Sequence, residues 1–196
     1  MKKSQAWIQT YTGIEFDILE PTEDMVNLID IAHSLSMECR YGGHIGDFYS
    51  VASHSMFVEY LMRDYSPMFR LTALLHDAAE AYLKDVLRPI KRYTQMGEEY
   101  QVLEAEVSRV IFKKFGIHLT DEEWKIVKKY DEYSMIPEIK LWFPYVKLED
   151  WNLGGYSEMT SEEKNMFLVS VENSKMMKIE EYLFIESVNS LLEQIK

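Results

Sequence analysis

An apolar run that ends in two ionisable residues limits the fold of this chain more than any other feature. Leu71, Leu74 and Leu75 have the spacing of a helical apolar face, and His76 and Asp77 follow directly. An imidazole or a carboxylate beside buried leucines is unstable unless it is paired or binds a metal ion. The fold must therefore bring further polar groups to His76 and Asp77, which themselves offer one nitrogen and one oxygen ligand.

The composition is that of one globular domain in a reducing compartment. The 196 residues are 47% hydrophobic and 13% aromatic, which is enough for a large core. The net charge of -12 disfavours general nucleic-acid binding and binding to anionic membranes, so we expect neither partner. Cys39 is the only cysteine and excludes an internal disulfide. No apolar run approaches the ~18 residues of a membrane span, and the basic start lacks the apolar stretch of a signal peptide. We expect a cytoplasmic protein, in the host cytoplasm if it is viral.

The periodicity predicts an all-α fold, a helical bundle with a short N-terminal β-hairpin. Two short strands flank Thr12-Gly13, which has the composition of a tight turn. The glycine-rich residues 40–47 form a loop. We divide a single domain, 1–196, into a hairpin arm (1–20), a metal-binding helical core (21–145) and C-terminal helices (146–196).

Capping signals predict where several of the helices begin. The predicted starts are Thr22, Ser50, Pro67, Thr120 and Thr160, and a further amphipathic helix covers 98–115. Pro137 should kink or end the helix that begins at Thr120.

Two more residues are candidates to complete a metal site with His76 and Asp77. His54 lies in a predicted buried helix among small residues, which leave room for an ion. Asp131 is the best candidate for a second carboxylate, because Asp has poor propensity for a helix interior. Its alternative is a solvated face, since charged residues surround it, and the periodicity does not decide between the two. We interpret the remaining helix and turn histidines, His33 and His118, as structural.

The set of His54, His76, Asp77 and Asp131 resembles the HD-domain phosphohydrolases, in which these residue types hold one divalent ion in a helical bundle. The run HDAAEAYLKD resembles more specifically the small 5′-deoxynucleotidase-like branch. TYTGIEFDILEPTEDM, DIAHSLSMECRYGGH and FYSVASHS resemble a compact, largely phage-borne group that includes dATP triphosphohydrolases. The resemblance extends to about residue 142. It implies one divalent transition metal ion (Zn, Co or Mn), and further divalent ions could accompany a triphosphate.

The same resemblance implies that Glu80 and Asp85 act on the attacking water and the leaving oxygen. Glu80 lies one helical turn beyond His76 if the helix continues, so it can face the same site. The alternatives are an exposed helix acid for Glu80 and a turn-forming residue for Asp85.

Four residues are candidate contacts for a nucleotide. Arg40 suits bidentate phosphate contact, and Lys91 with its basic neighbours could hold the outer phosphates. Tyr41 and Gly43 lie where the resembled branch packs against sugar or base, and the Tyr41 ring could exclude a 2′-hydroxyl. A solvated basic face remains the alternative for some of the cations.

We therefore expect hydrolysis of the bond between the α-phosphorus and O5′ of a small-molecule deoxynucleotide, with dATP giving deoxyadenosine and triphosphate. One alternative is a 5′-deoxynucleotidase acting on monophosphates, and another is an inactive nucleotide-binding sensor. The resemblance also implies a homo-oligomer, with a hexamer as one arrangement.

Overall fold

The computed structural model of the protein describes residues 5–196, which are mostly helical with one two-stranded antiparallel sheet near the N terminus. This confirms the predicted all-α class with a short hairpin. The first four residues of the predicted arm 1–20 lie outside the described residues. The strands are β1 (Trp7–Gln9) and β2 (Glu15–Asp17). The helices are α1 (Leu28–Met37), α2 (Val51–Leu61), α3 (Pro67–Leu75), α4 (Glu80–Leu83), α5 (Arg88–Tyr93), α6 (Gln95–Lys114), α7 (Asp121–Trp142), α8 (Ser161–Ser174) and α9 (Met177–Ile195).

The hairpin has the predicted turn between two three-residue strands. Trp7 pairs with Asp17, and the connecting turn contains Gly13 at φ +92°, a conformation that favours glycine. Phe16 points into the core and is fully buried. The hairpin is thereby attached to the helical core by Phe16, and the half-buried Ile8 of β1 packs against the same core.

Four of the predicted helix starts are confirmed. Ser50 caps α2 by accepting a hydrogen bond from the Ser53 amide, and Pro67 is the first residue of α3. Thr120 and Thr160 each form a capping box with a glutamate three residues later.

One predicted helix start was wrong, and one of the two outcomes predicted for Pro137 did not occur. Thr22 makes no capping bond and precedes only a 3-10 turn, Glu23–Met25. Helix α1 begins later, where Asn27 accepts a hydrogen bond from the Ile29 amide at 2.8 Å, because the intervening Val26 is extended and buried in the core. Pro137 does not end α7, since that helix continues to Trp142. The residues around Pro137 are buried, and their packing offsets the missing backbone bond.

The main core lies between the hairpin and helices α1, α2, α3, α6 and α9. It includes the fully buried side chains Phe16, Leu35, Leu74, Ile111 and Phe184. Helix α2 contacts α1, α3, α7, α8 and α9, so its residues can meet side chains from several elements. Within residues 5–196, no helix combines the length and apolar character that crossing a membrane requires.

Candidate metal centre

The structure brings all four predicted metal ligands to one point. His54 comes from α2, His76 and Asp77 from the turn after α3, and Asp131 from α7. One ligand atom of each lies within 4.8 Å of the others. The two histidines are buried and the two carboxylates half-buried. These four residues could hold a metal ion, and Asp131 faces the cluster rather than only the solvent.

A tightened turn lets the adjacent His76 and Asp77 reach the same place. Helix α3 ends at Leu75, and the α-helix does not continue regularly to Glu80 as the sequence suggested. The Ala78 amide donates to the Leu75 carbonyl at 3.1 Å, and the Glu80 amide to the Asp77 carbonyl at 2.9 Å. These are the three-residue bonds of a 3-10 turn. As a result, His76 Nε2 and Asp77 Oδ2 lie only 3.0 Å apart.

Both imidazoles direct Nε2 at the same two carboxylates. His54 Nε2 lies 3.1 Å from Asp131 Oδ1 and 3.7 Å from Asp77 Oδ2. His76 Nε2 lies 3.5 Å from Asp131 Oδ1. Two nitrogen and two carboxylate ligands suit a divalent transition metal ion, whose charge the carboxylates balance.

The hydrogen bonding of His76 fits a metal ligand. Its Nδ1 lies 2.7 Å from the Ala73 carbonyl, which can only accept, so Nδ1 carries the proton. Its Nε2 is buried and makes no hydrogen bond within the described part of the chain. Burial lowers the pKa of His76, but the Asp77 and Asp131 carboxylates raise it more, to about 10. The two carboxylates therefore favour a positive charge at Nε2, which a proton or a metal ion can provide.

A fifth side chain, Glu138, belongs to this site and was not predicted. It is fully buried on α7, and its Oε1 lies 3.0 Å from His54 Nδ1. Its Oε2 accepts from Arg40 Nε at 3.2 Å, from Arg40 Nη2 at 3.0 Å and from Tyr41 Oη at 2.5 Å. Burial opposes ionisation, yet Arg40 and His54 lower the pKa of Glu138 below its ordinary value. The available signal was its position seven residues after Asp131, two turns along the same helix.

The predicted nucleotide contacts Arg40, Tyr41 and Gly43 form a 3-10 turn, Arg40–Gly43, beside this carboxylate. Tyr41 and Gly42 have left-handed backbones, at φ 57° and 59°. The Tyr41 ring contacts Phe143 edge-on, with centroids 5.3 Å apart. Gly43 is exposed at φ 77°. The turn thus presents one cation and one aromatic ring to the metal centre, and both are bonded to Glu138.

Glu80 is buried, so the alternative of an exposed helix acid is wrong. Only 5% of it is accessible, and Oε1 lies 3.0 Å from Lys91 Nζ. Its Oε2 is buried and makes no hydrogen bond with any described residue. Burial and the nearby Asp77 and Asp85 carboxylates raise the pKa of Glu80 well above its ordinary value, against the effect of Lys91. A carboxyl of this kind can exchange a proton closer to neutral pH than an ordinary glutamate.

The predicted cation Lys91 is already paired, and the backbone of the predicted acid Asp85 is held by a hydrogen bond. Lys91 Nζ lies between Glu80 and Glu104, 2.8 Å from Glu104 Oε1. The backbone amide of the half-buried Asp85 donates to Glu38 Oε1 at 2.6 Å. Glu80 and Glu104 lie on other helices than Lys91, and Glu38 lies far before Asp85 in the sequence. For this reason Lys91 and its basic neighbours looked unpaired in the sequence.

Lys128 is a further cation at this site. Its Nζ lies 3.4 Å from Asp131 Oδ2, and 44% of its side chain is exposed. In the sequence, Lys128 is one of the charged residues around Asp131 that left a solvated face as the alternative. In the structure it lies three residues before Asp131 and faces the same carboxylate.

No family model matches this sequence. Over 112 residues, 57% of this chain, it is 37% identical to the uncharacterized protein YfdR of Escherichia coli K12, of which the match covers 60%. It is also 37% identical over 119 residues, 58% of this chain, to an uncharacterized protein of Rhodobacter capsulatus, again covering 60% of that protein. The chain thus spans about three fifths of the length of these curated relatives.

Proposed function

We propose that the protein is a metal-dependent phosphohydrolase of the HD-domain type that cleaves the bond between the α-phosphorus and O5′ of deoxynucleotides. The observation that carries this proposal is the cluster of His54, His76, Asp77 and Asp131 next to the buried carboxyl of Glu80. The favoured substrate is dATP, which would give deoxyadenosine and triphosphate. This choice of substrate is supported by the sequence motifs rather than by the site geometry.

The four ligands would hold one divalent ion, for which Zn, Co and Mn are the candidates. That ion would supply positive charge for the phosphate oxygens and for the attacking water. The buried His54 and His76 hold their Nε2 atoms 3.1 Å from Asp131 and 3.0 Å from Asp77.

Glu80 and Asp85 would handle the two protons of the reaction. Glu80 takes a proton from the attacking water, whose oxygen forms a bond to the α-phosphorus. The bond from phosphorus to O5′ breaks, and Asp85 gives a proton to O5′. The raised pKa of Glu80 supports its role, because a general base is most effective when its pKa lies near the pH of the reaction.

Positive charge around the centre would bind the phosphates. Burial lowers the pKa of Arg40, but Glu138 beside it and, to a smaller degree, Asp77 and Asp131 raise it more. Lys128 is more exposed than Lys91, 44% against 19% of the side chain, and meets one carboxylate rather than two. Lys128 therefore supports contact with an outer phosphate better than Lys91 does.

The pairing of Lys91 favours one rival. A deoxynucleoside monophosphate needs no cation beyond the α-phosphate, and Lys91 already lies between Glu80 and Glu104. A 5′-deoxynucleotidase is therefore the second candidate function. An inactive nucleotide sensor is a weaker candidate, because it would not need Glu80 buried beside the metal ligands.

Product identity distinguishes these candidates. The enzyme is loaded with Mn²⁺ or Co²⁺ and incubated with dATP, ATP, dGTP and dAMP at equal concentration, and the products are separated by chromatography. We expect deoxyadenosine and triphosphate from dATP in one step. Turnover of dAMP without turnover of dATP would favour the monophosphatase, and no turnover with full metal content would favour the sensor.

The assembly and location follow from the same proposal. Exposed apolar side chains on α8 and α9, including Leu168, Val169, Ile179, Tyr182 and Leu183, would be covered in a homo-oligomer, with a hexamer as one arrangement. Light scattering should give a mass well above the 23.2 kDa of the chain. We place the enzyme in the cytoplasm, where deoxynucleotides are found.

A further inference from the structure

We propose that Glu138 is a positioning residue that fixes the tautomer of His54 and links this metal ligand to the turn carrying Arg40 and Tyr41. The inference rests on the proposed metal site and does not depend on which nucleotide is hydrolysed. It assigns a role to a residue that touches none of the reacting atoms.

The contacts of Glu138 use both of its oxygens. Oε1 lies 3.0 Å from His54 Nδ1, and Oε2 receives two bonds from Arg40 and one from Tyr41. The residue is fully buried, so water does not compete for these positions. A carboxylate that receives an arginine and a tyrosine hydroxyl on one oxygen is held in its charged form.

This charge sets the proton on His54. A carboxylate only accepts hydrogen bonds, so the imidazole must donate from Nδ1. Ser134 agrees with this assignment: its hydroxyl donates to the Asp131 carbonyl at 2.7 Å, so toward His54 Nδ1, at 3.4 Å, it can only accept. Nε2 is then the nitrogen left for a metal ion, and it lies 3.1 Å from Asp131 Oδ1. Glu138 therefore keeps His54 in the form that a metal ion needs.

The same carboxylate connects two parts of the site. Arg40 and Tyr41 bind Oε2, while His54 binds Oε1. Loss of a donor at Oε2 leaves more negative charge unpaired and changes how strongly Oε1 holds the imidazole. Binding of the metal should therefore respond to a change in Tyr41, although Tyr41 is not one of the ligands.

Glu138→Gln tests the tautomer directly. The glutamine keeps the shape, and its carbonyl must face the donors on Arg40 and Tyr41. Its amide group then points at His54 Nδ1 and donates to it, which moves the imidazole proton to Nε2. We expect the affinity for Co²⁺ to fall by roughly 10–100-fold, the usual effect of losing an outer partner of a metal ligand.

Two measurements are made on the full chain. Nitrogen-15 NMR of the metal-free protein at mildly alkaline pH identifies the protonated nitrogen of His54, assigned from the spectrum of His54→Asn. Competition with a chromophoric chelator gives the Co²⁺ affinity of the wild type, Glu138→Gln and Tyr41→Phe. The matched control is Tyr60→Phe, which removes a tyrosine–glutamate bond of 2.7 Å on the same helix as His54, to Glu162.

The expected result is an Nδ1 proton in the wild type, loss of that proton in Glu138→Gln, weaker Co²⁺ binding in Glu138→Gln, a Co²⁺ affinity in Tyr41→Phe that differs from that of the wild type, and no change in Tyr60→Phe. A wild type with no proton on Nδ1 would overturn the inference, as would wild-type Co²⁺ affinity in Glu138→Gln. If Glu138→Gln does not fold, the wild-type spectrum and Tyr41→Phe still decide the matter. A wild type that binds no Co²⁺ would refute the proposed metal site, while the spectrum would still decide the tautomer.

Discussion

Asp131 and Glu138 lie on one face of α7 and hold opposite nitrogens of a single imidazole. Asp131 Oδ1 is 3.1 Å from His54 Nε2, and Glu138 Oε1 is 3.0 Å from His54 Nδ1. Seven residues are two helical turns, so one rigid helix fixes both edges of the ring. The orientation of His54 is therefore built into the packing of α7 on α2.

The first prediction concerns the four ligands. His76→Ala and Asp131→Ala should each lose most of the bound metal, because each removes one of the four ligand side chains and leaves the centre incomplete. Metal content after dialysis against a chelator and reloading measures this. The control is His118→Ala, which removes an exposed histidine from a turn outside the cluster.

The same experiment has a stability readout. An ion that binds only the folded state should stabilise the wild type by about 2.7 kcal/mol at a hundred times its dissociation constant, and the ligand variants much less. Full metal content in Asp131→Ala would mean that another residue supplies the fourth ligand.

The second prediction separates the chemistry of Glu80 from its ion pair. Glu80→Gln should keep the metal and the fold, while turnover falls by roughly 10²–10⁴, the usual cost of losing a general acid or base. Glu104→Gln is the matched control, because it removes the other carboxylate on Lys91. Steady-state rates of the two variants are compared at full metal loading. Equal losses would mean that Glu80 acts only by holding Lys91.

The third prediction concerns the 2′-hydroxyl. If the Tyr41 ring fills the space of that group, ATP pays roughly 1–3 kcal/mol for an unpaired buried hydroxyl, a factor of about 5–150 in specificity. Tyr41→Ala should narrow the ratio of kcat/KM for dATP over ATP, whereas Tyr41→Phe should keep it because the ring remains. A ratio that is unchanged in Tyr41→Ala would exclude this ring as the discriminating group.

The sequence predicted the elements and the residues of the cluster where local chemistry was decisive. Ser50 and Thr120 have side chains that cap a helix by themselves, and both caps are confirmed. His76 and Asp77 stood out because polar groups follow buried leucines, and the structure supplies the partners that this placement requires.

The sequence failed where the partner comes from a distant part of the chain. Lys91 looked like a free cation because Glu80 and Glu104, its two partners, lie on other helices. Glu138 looked like any acid near a helix end, and only the packing of Arg40 against α7 shows that it is buried. Thr22 has good capping chemistry, but burial of Val26 moves the helix start to a later residue.

The fourth prediction is a pH dependence that arises outside the metal centre. Glu180 is fully buried on α9 and accepts hydrogen bonds from the hydroxyls of Ser50 and Ser53. Burial raises the pKa of Glu180 above its ordinary value of 4.5, although these hydroxyls oppose the effect. The folded state then holds a proton that the unfolded state releases. This contribution to stability is complete below the ordinary pKa and is lost as the pH rises through the raised pKa.

Glu180→Gln replaces the titrating carboxyl by an amide that has no such proton to release. From about pH 5 upward, the free energy of unfolding of the wild type should fall relative to that of Glu180→Gln. Urea unfolding of both proteins across this range measures the difference. Glu186→Gln, an exposed change on the same helix, should track the wild type. A constant difference between the wild type and Glu180→Gln would show that Glu180 titrates alike in both states.

The fifth prediction concerns the strained backbone between the two proposed proton-transfer residues. Lys84 has φ 75° and ψ 153°, a conformation that is almost confined to glycine. It is held there from both sides: its amide donates to the Glu80 carbonyl at 2.8 Å, and its carbonyl accepts from Tyr100 Oη at 2.5 Å. The next amide, of Asp85, donates to Glu38. These hydrogen bonds therefore hold the strained turn that connects Glu80 to Asp85.

Glycine at this position should relieve the strain without moving the turn. Such a conformation costs a non-glycine residue about 1–3 kcal/mol, and glycine loses about 0.5–1 kcal/mol through its greater freedom when unfolded. Lys84→Gly should thus be about 1 kcal/mol more stable than Lys84→Ala, which removes the same side-chain contacts and keeps the strain. Urea unfolding of the pair isolates the backbone effect, and turnover of Lys84→Gly should stay near that of Lys84→Ala because Glu38 still holds Asp85. Lower stability of the glycine variant would mean that the positive φ of Lys84 costs the folded protein less than glycine loses through its greater freedom when unfolded.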